Sequence, residues 1–243
     1  MLERQTGSAI WGQIARSLET EIQSGKLKPG DRLASENALA QRFGVNRHTV
    51  RRAVGELAHR GLLRVEHGRG TFVREAPIEY PINDSTKFTE VMLSMGVSSD
   101  RKLISSDVQR ATDQIAQLLK IAPNAPVVAA EYLSLVDNRP FGFSVHTFPE
   151  QRMPGILSAL RKSPGVTAAL REAGVASYRR IWTQVTAELA TDTIADVLDV
   201  PASRPMLKTT VLEVATDTGE PVQYGITYWS GDRCRLTVSG QHT

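Results

Sequence analysis

Residues 46–59 read N-R-H-T-V-R-R-A-V-G-E-L-A-H, and the reading of this stretch decides the fold of the first third of the chain. Asn46 is a good helix N-cap, because its side chain accepts from the free N–H groups of a first turn. Val50, Ala53, Val54 and Leu57 recur at helical spacing and make one apolar face. Arg47, His48, Arg51 and Arg52 lie near the start and off that face. A helix anchored on one side and cationic on the other suits the DNA major groove. There arginine grips guanine with two hydrogen bonds, while Thr49 and the helix start meet phosphate. Taken alone, the stretch fits an ordinary amphipathic surface helix equally well, and its neighbours decide between the two.

Upstream, Ile10, Ile14, Leu18 and Ile22 repeat every four residues beside Trp11 and Ala15, predicting an amphipathic helix that ends at Gly25. Lys28-Pro29-Gly30-Asp31 is a turn. Ser35 caps a second helix, with Glu36 in its first turn and Leu39, Ala40 and Phe43 on its buried side. Gly44-Val45 connects it tightly to the 46–59 helix, so the pair reads as a helix-turn-helix. After Gly61 the period changes to alternation. Leu63, Val65, Phe72 and Val73 flank His67-Gly68-Arg69-Gly70, predicting a β-hairpin wing. Its glycines allow close backbone approach, and Arg69 with His67 suits a narrow, electronegative minor groove.

Charge agrees with this division. Residues 1–76 hold 13 Lys and Arg against 8 Asp and Glu, whereas the remainder holds 16 against 18. A basic first third beside a mildly acidic remainder points to a nucleic-acid module joined to a second domain. The single cysteine, Cys234, excludes an intramolecular disulfide framework and a multi-cysteine zinc site, and no cofactor or metal is expected. No apolar run reaches membrane-spanning length and no signal-peptide core opens the chain, so a cytoplasmic protein is expected.

Residues 77–85, with two prolines and several turn formers, read as an extended linker between a 1–76 domain and an 86–243 domain. The second domain repeats itself. Ala111–Pro126 (A-T-D-Q-I-A-Q-L-L-K-I-A-P-N-A-P) and Ala190–Pro205 (A-T-D-T-I-A-D-V-L-D-V-P-A-S-R-P) are offset by 79 and identical at seven of sixteen positions. Leu103–Arg110 and Trp182–Leu189 before them alternate like strands. Val127–Val136 matches Met206–Ala215, and Phe141–Phe148 matches Val222–Trp229. The unit is strand, short helix, strand, turn, strand. Two copies predict an α+β domain: one antiparallel sheet of about six strands around a pseudo-two-fold axis, with helices over one face and a crevice for a small ligand.

The runs I-x-S-G-x-L-K-P-G-D-R-L, S-E-x-x-L-A-x-x-F-G-V-N-R-x-T-V-R-R-A, G-L-L and H-G-R-G-T-F-V resemble the winged-helix DNA-binding domain of the GntR family of bacterial transcription regulators, over residues 8–74. The resemblance implies that Arg47 and Arg51 read bases and phosphate, Ser35 holds phosphate, and His67 and Gly68 make the wing contact. Asn37 departs from the pattern, since many members place Arg after the Ser-Glu pair. The second domain resembles the UTRA effector-binding domain of the HutC branch, whose fold is chorismate-lyase-like. Tyr80–Gly96 and Val45–Arg52 look closest to the phosphonate-metabolism regulators of that branch.

Candidate ligand residues follow. Thr86-Lys87-Phe88-Thr89 opens a predicted helix that runs to Met95. It reads either as a plain cap with a solvated lysine or as an anion site of hydroxyls, amine and free N–H groups. The UTRA resemblance implies the second. Tyr132 and Ser134 share one strand face, as do Ser144 and His146. In many UTRA domains two arginines stand where this chain has Tyr132 and Ser134. Arg179, Arg180 and Arg233, with Tyr224, are candidates to supply the missing charge, although surface arginines are commonly only solvated. The resulting expectation is a homodimeric, ligand-responsive regulator on palindromic double-stranded operator DNA, with a small anionic effector. The rival is a chorismate-lyase-like enzyme on a DNA anchor, which lacks a recognisable catalytic constellation in the sequence.

Overall fold

The computed structural model describes residues 9–66, 68–84, 86–163 and 165–238. Contacts divide the chain into two compact units, residues 1–76 and 77–243. His67, expected at the wing, lies outside the described residues.

In the first unit, α1 (Ile10–Gln23), α2 (Glu36–Phe43) and α3 (Arg47–His59) precede a two-stranded hairpin of β1 (Leu63–Glu66) and β2 (Gly70–Val73). The sequence positions its own helix ends. The Ser35 hydroxyl accepts from the Ala38 N–H at 3.2 Å, and the Asn46 side chain accepts from the Thr49 N–H at 2.9 Å. Gly44 closes α2 in the left-handed region at φ 66°, where a side chain would be strained. Ile14, Leu18, Leu39, Val50, Ala53, Leu57, Leu63 and Val73 fill one core. Burying several such side chains at about 1.5–3 kcal/mol each fixes α3 rigidly against its neighbours, so its cationic side has a defined direction.

The second unit contains β3 (Ile78–Ile82), α4 (Phe88–Ser94), β4 (Ser99–Arg110), α5 (Asp113–Leu119), β5 (Pro126–Val136), β6 (Arg139–Pro149), α6 (Ile156–Lys162), α7 (Val166–Glu172), β7 (Tyr178–Leu189), α8 (Asp192–Leu198), β8 (Pro205–Ala215), β9 (Pro221–Ser230) and β10 (Cys234–Val238). Six strands form an antiparallel sheet in the order β4-β5-β6-β9-β8-β7, which is symmetric about the β6–β9 pair. The repeat holds in fine geometry. Thr112 and Thr191 cap α5 and α8, and both helices end on a residue at φ 51°, Lys120 and Asp199. Asn124 and Ser203, also 79 apart, both take positive φ. A two-residue loop, Asp137-Asn138, with φ 50° and 61°, joins β5 to β6 with the twist that antiparallel strands need.

Two expectations are corrected. Helices cover both faces of the sheet: α5 and α8 pack on one, α6 and α7 on the other. The sequence between the repeats supplied the second layer, because Ile156, Ala159, Leu160, Val166, Ala169 and Leu170 present apolar faces that need a sheet to cover them. The 77–85 stretch is extended as expected, but it is not a free linker. Residues 78–82 form β3, paired in parallel with β10, and Tyr80 is buried against Trp229 with ring centroids 4.7 Å apart. The alternate residues Ile78, Tyr80 and Ile82 gave that strand an inward face.

Candidate functional site

The first unit presents a cleft between α2, α3 and the hairpin, lined by Ser35, Glu36, Arg47, Arg51, Gly68 and Gly70 among others. Helical spacing puts Arg47 and Arg51 one turn apart on the same side of α3, and both are more than half exposed. Glu36 sits between them. Its carboxylate accepts from Arg47 Nε at 2.5 Å and from Arg51 Nε and Nη2 at 3.0 and 2.9 Å. These two guanidiniums hold the Glu36 carboxyl down at about 2, with Arg51 the larger influence. The carboxylate thereby sets the direction of both arginines. His48 is exposed at the start of α3, and Thr49 is half-buried, its hydroxyl donating to Asn46. Arg52 turns aside, its guanidinium 4.7 Å over the Trp11 ring. At the hairpin tip, Gly68 takes φ 75° and Gly70 φ 125°. A Cβ on Gly70 would lie 2.8 Å from Arg32 Nε, so only glycine fits there unaltered. Arg69 reaches Glu66 at 3.8 Å.

The second unit holds a cavity of about 370 Å³ on the sheet face shared with α6 and α7. Alternation along the strands aims Ser134, Ser144, His146, Thr209, Glu213 and Gln223 into it, while α4, β3 and the start of α7 close it over. Of the residues singled out from sequence, Thr86, Lys87, Phe88, Thr89, Ser134, Ser144, His146 and Arg180 line this cavity together. Tyr132, Arg179, Tyr224 and Arg233 do not line it. Tyr132 is a core residue beneath Arg101, with the guanidinium 4.4 Å from its ring centre. Arg179 is exposed; Tyr224 packs with Trp182 on the opposite face; Arg233 donates to the Pro140 carbonyl.

The Thr86–Thr89 stretch carries the start of α4 to the cavity wall. Helix α4 begins only at Phe88, and the Thr86 hydroxyl already accepts from the Asn83 N–H at 2.9 Å. Lys87 lies 3.4 Å from Glu90 and 5.5 Å above the Tyr178 ring. The stronger polar features are deeper. Arg180 Nη2 donates to Glu213 Oε1 at 3.3 Å and to the Thr86 carbonyl at 3.2 Å, and Gln223 donates to Glu213 Oε2 at 3.0 Å. Burial pushes the Glu213 carboxyl above its ordinary range, although Arg180 opposes this. Arg101 Nη2 meets Ser144 Oγ at 3.2 Å and His146 Nε2. His146 therefore accepts on Nε2, and burial, with Arg101 beside it, drives its pKa well down and keeps it neutral. Buried polar atoms without a partner cluster here: Arg101 Nε, His146 Nδ1, Arg180 Nε, Thr183 Oγ1 and Gln223 Oε1. Such atoms cost about 1–3 kcal/mol each unless something meets them, which marks the cavity as built for a polar ligand.

Sequence reasoning missed Arg101, Glu213 and Gln223. The repeat offset of 79 carried a signal for the first two: it superposes Arg101 on Arg180 and Ser134 on Glu213.

The family model for bacterial regulatory proteins of the gntR family matches residues 11–73, and the UTRA domain model matches residues 94–235. An uncharacterized HTH-type transcriptional regulator of Rhizobium meliloti is 30% identical over 239 residues, covering 98% of each chain. The probable transcriptional regulator PhnF of Escherichia coli is 27% identical, covering 93% of each. The crystal structure of PhnF from Mycobacterium smegmatis matches 97% of this chain and all of that one, at 25% identity and a TM-score of 0.64. No described helix is long and apolar enough to cross a membrane.

Proposed function

Because the chain belongs to the GntR family of bacterial regulatory proteins and carries a UTRA domain, making it a transcriptional regulator of that type, we propose that it is a repressor released by a small anionic effector. Residues 1–76 bind DNA, with Arg47, Arg51 and the Gly68–Gly70 tip facing it, and residues 77–243 bind the effector. A winged helix reads few base pairs, so the protein acts as a homodimer on a palindromic operator. The effector is a phosphonate or phosphate ester, and the regulated genes serve phosphonate use. The observation that carries this reading is the polar cavity of the second unit. Lys87, Arg101 and Arg180 in its wall outnumber Glu90 and Glu213, and several buried polar atoms await a partner. The Tyr80–Gly96 run, with its resemblance to the phosphonate-metabolism regulators, supports phosphonate over other anions.

A thermal-shift screen of phosphonates, phosphate esters, amino-sugar phosphates and urocanate tests it. The true effector stabilises the protein by roughly 2.7 kcal/mol at a hundredfold excess over Kd, and weakens operator binding in a gel shift. Stabilisation by urocanate alone would sink the anionic-phosphorus reading and leave the DNA-binding reading intact.

A further inference from the structure

We propose that Arg101 is the anion anchor of the cavity and that Arg180, its counterpart in the internal repeat, is not; the ligand's negative charge lies against Arg101 on Ser134's side of the sheet. This rests on the reading that the cavity takes the effector.

The internal repeat is broken at this pair of positions. The two arginines stand 79 residues apart on equivalent strands, and each has a cross-strand neighbour in the same register: Arg101 opposite Ser134, Arg180 opposite Glu213. The two neighbours are also 79 apart, and a bulge follows each of them. One half of the repeat therefore carries its counter-charge, and the other carries a serine in the same place. Arg180 is spoken for: it holds Glu213 and reaches the Asn83 and Thr86 carbonyls at 3.5 and 3.2 Å. Arg101 meets only the neutral Ser144 and His146 and the face of Tyr132; the Nε of both arginines is without a partner, so the difference between them is the carboxylate that Arg180 has and Arg101 lacks. It pairs with no carboxylate among the described residues. The other groups near it do not neutralise it directly. Tyr80, Tyr132 and Tyr178 stay protonated, their phenols pushed up by burial, and Glu213 is committed to Arg180 and Gln223. A guanidinium with its Nε out of reach of solvent is costly without a counter-ion, and a ligand oxyanion with two acceptor oxygens matches that edge.

The test uses the full chain, with inorganic phosphate, methylphosphonate and acetate as probes, by calorimetric titration and thermal unfolding. Ser134→Glu installs the missing carboxylate in a register the protein already uses at Glu213. It should raise the melting temperature of the ligand-free protein and weaken anion binding by about tenfold or more. Arg101→Gln should weaken binding as much without lowering the melting temperature, which keeps the test decisive if Ser134→Glu folds poorly. Phosphate or methylphosphonate binding that survives in Arg101→Gln overturns the anchor and leaves the phosphonate reading standing. Acetate binding alone, lost in Arg101→Gln, supports the anchor and removes the phosphonate reading. Failure of wild type to bind any of the three overturns both.

Discussion

Cutting the Arg180–Glu213 pair should destabilise the second unit by more than cutting both partners together. Their side chains are 13% and 8% exposed, so Arg180→Met leaves a carboxylate buried with only the Gln223 amide as donor. Removing one member of a buried pair costs about 3–5 kcal/mol. The 3.3 Å contact is long for a charge-assisted bond, and the cavity admits water, so the lower end, about 3 kcal/mol, applies. In Arg180→Met/Glu213→Gln the stranded charge is gone, while the amide oxygen at 213 still accepts from Gln223. What remains is the loss of bonds to the Asn83 and Thr86 carbonyls, at about 1 kcal/mol each. The double variant should therefore be about 1 kcal/mol more stable than the single one. In a unit of this size the single change corresponds to a fall of roughly 6–12 °C. Thermal unfolding by tryptophan fluorescence in a Trp11→Phe background reports this unit alone, through Trp182 and Trp229. Burial raises the Glu213 carboxyl above 4.5, so its share of stability is full below 4.5 and is lost as pH rises through the folded value. Without Arg180 that loss deepens, and Arg180→Met should suffer less at pH 5 than at pH 8. A double variant no more stable than the single one would refute the reasoning, since it would show that Glu213 needs no counter-charge.

Glu36 carries the opposite sign. Its carboxyl is lowered to about 2, so the stability it adds is present above the ordinary 4.5 and is lost as pH falls to about 2. Glu36→Gln should flatten the acid limb of unfolding in that window, and superimposable curves would show that the two arginines do not hold it in solution. Arg47→Ala and Arg51→Ala should weaken operator binding in gel shifts at several salt concentrations. A lost base contact costs roughly 5- to 150-fold on the cognate sequence only, while a lost phosphate contact weakens all sequences and flattens the salt slope by about one. Gly70→Ala should cost about 1–3 kcal/mol in urea unfolding, more than Gly68→Ala, where a Cβ meets nothing within 4 Å. Equal costs would mean the hairpin tip adjusts freely.

The first unit was legible because its determinants are local. Ser35, Gly44 and Asn46 mark helix ends within a few residues of the groups they cap, and Val50 to Leu57 declare one face by spacing alone. The repeat was legible because duplicated sequence kept duplicated turns, down to the positive φ of Lys120 and Asp199. The cavity was not. Arg101 stands in S-D-R-K, a polar run that reads as a solvated edge, and only pairing with β5 and the α4 and α7 segments around the same cavity cover it in part. Glu213 alternates with apolar residues as an outward-facing position would, yet the face it joins is covered by segments distant in sequence. Tyr132 failed in the opposite sense: its parity was right, but Arg101 lies between it and the cavity.

The parallel pairing of β3 with β10 has a consequence for how the protein is made. Glu79 receives Arg235 at 2.6 Å and Thr237 at 2.7 Å, across more than 150 residues of intervening chain. So distant a contact closes late, because the loop entropy must be met before the contact returns anything. On the ribosome, residues 1–76 have everything they need to fold while the rest is still being translated. The second unit must wait for Cys234–Val238 to leave the exit tunnel before β3 has its partner and Leu236 can complete the cavity wall beside Tyr80. A nascent chain of this protein therefore acquires its DNA-binding half first and its ligand-sensing half last.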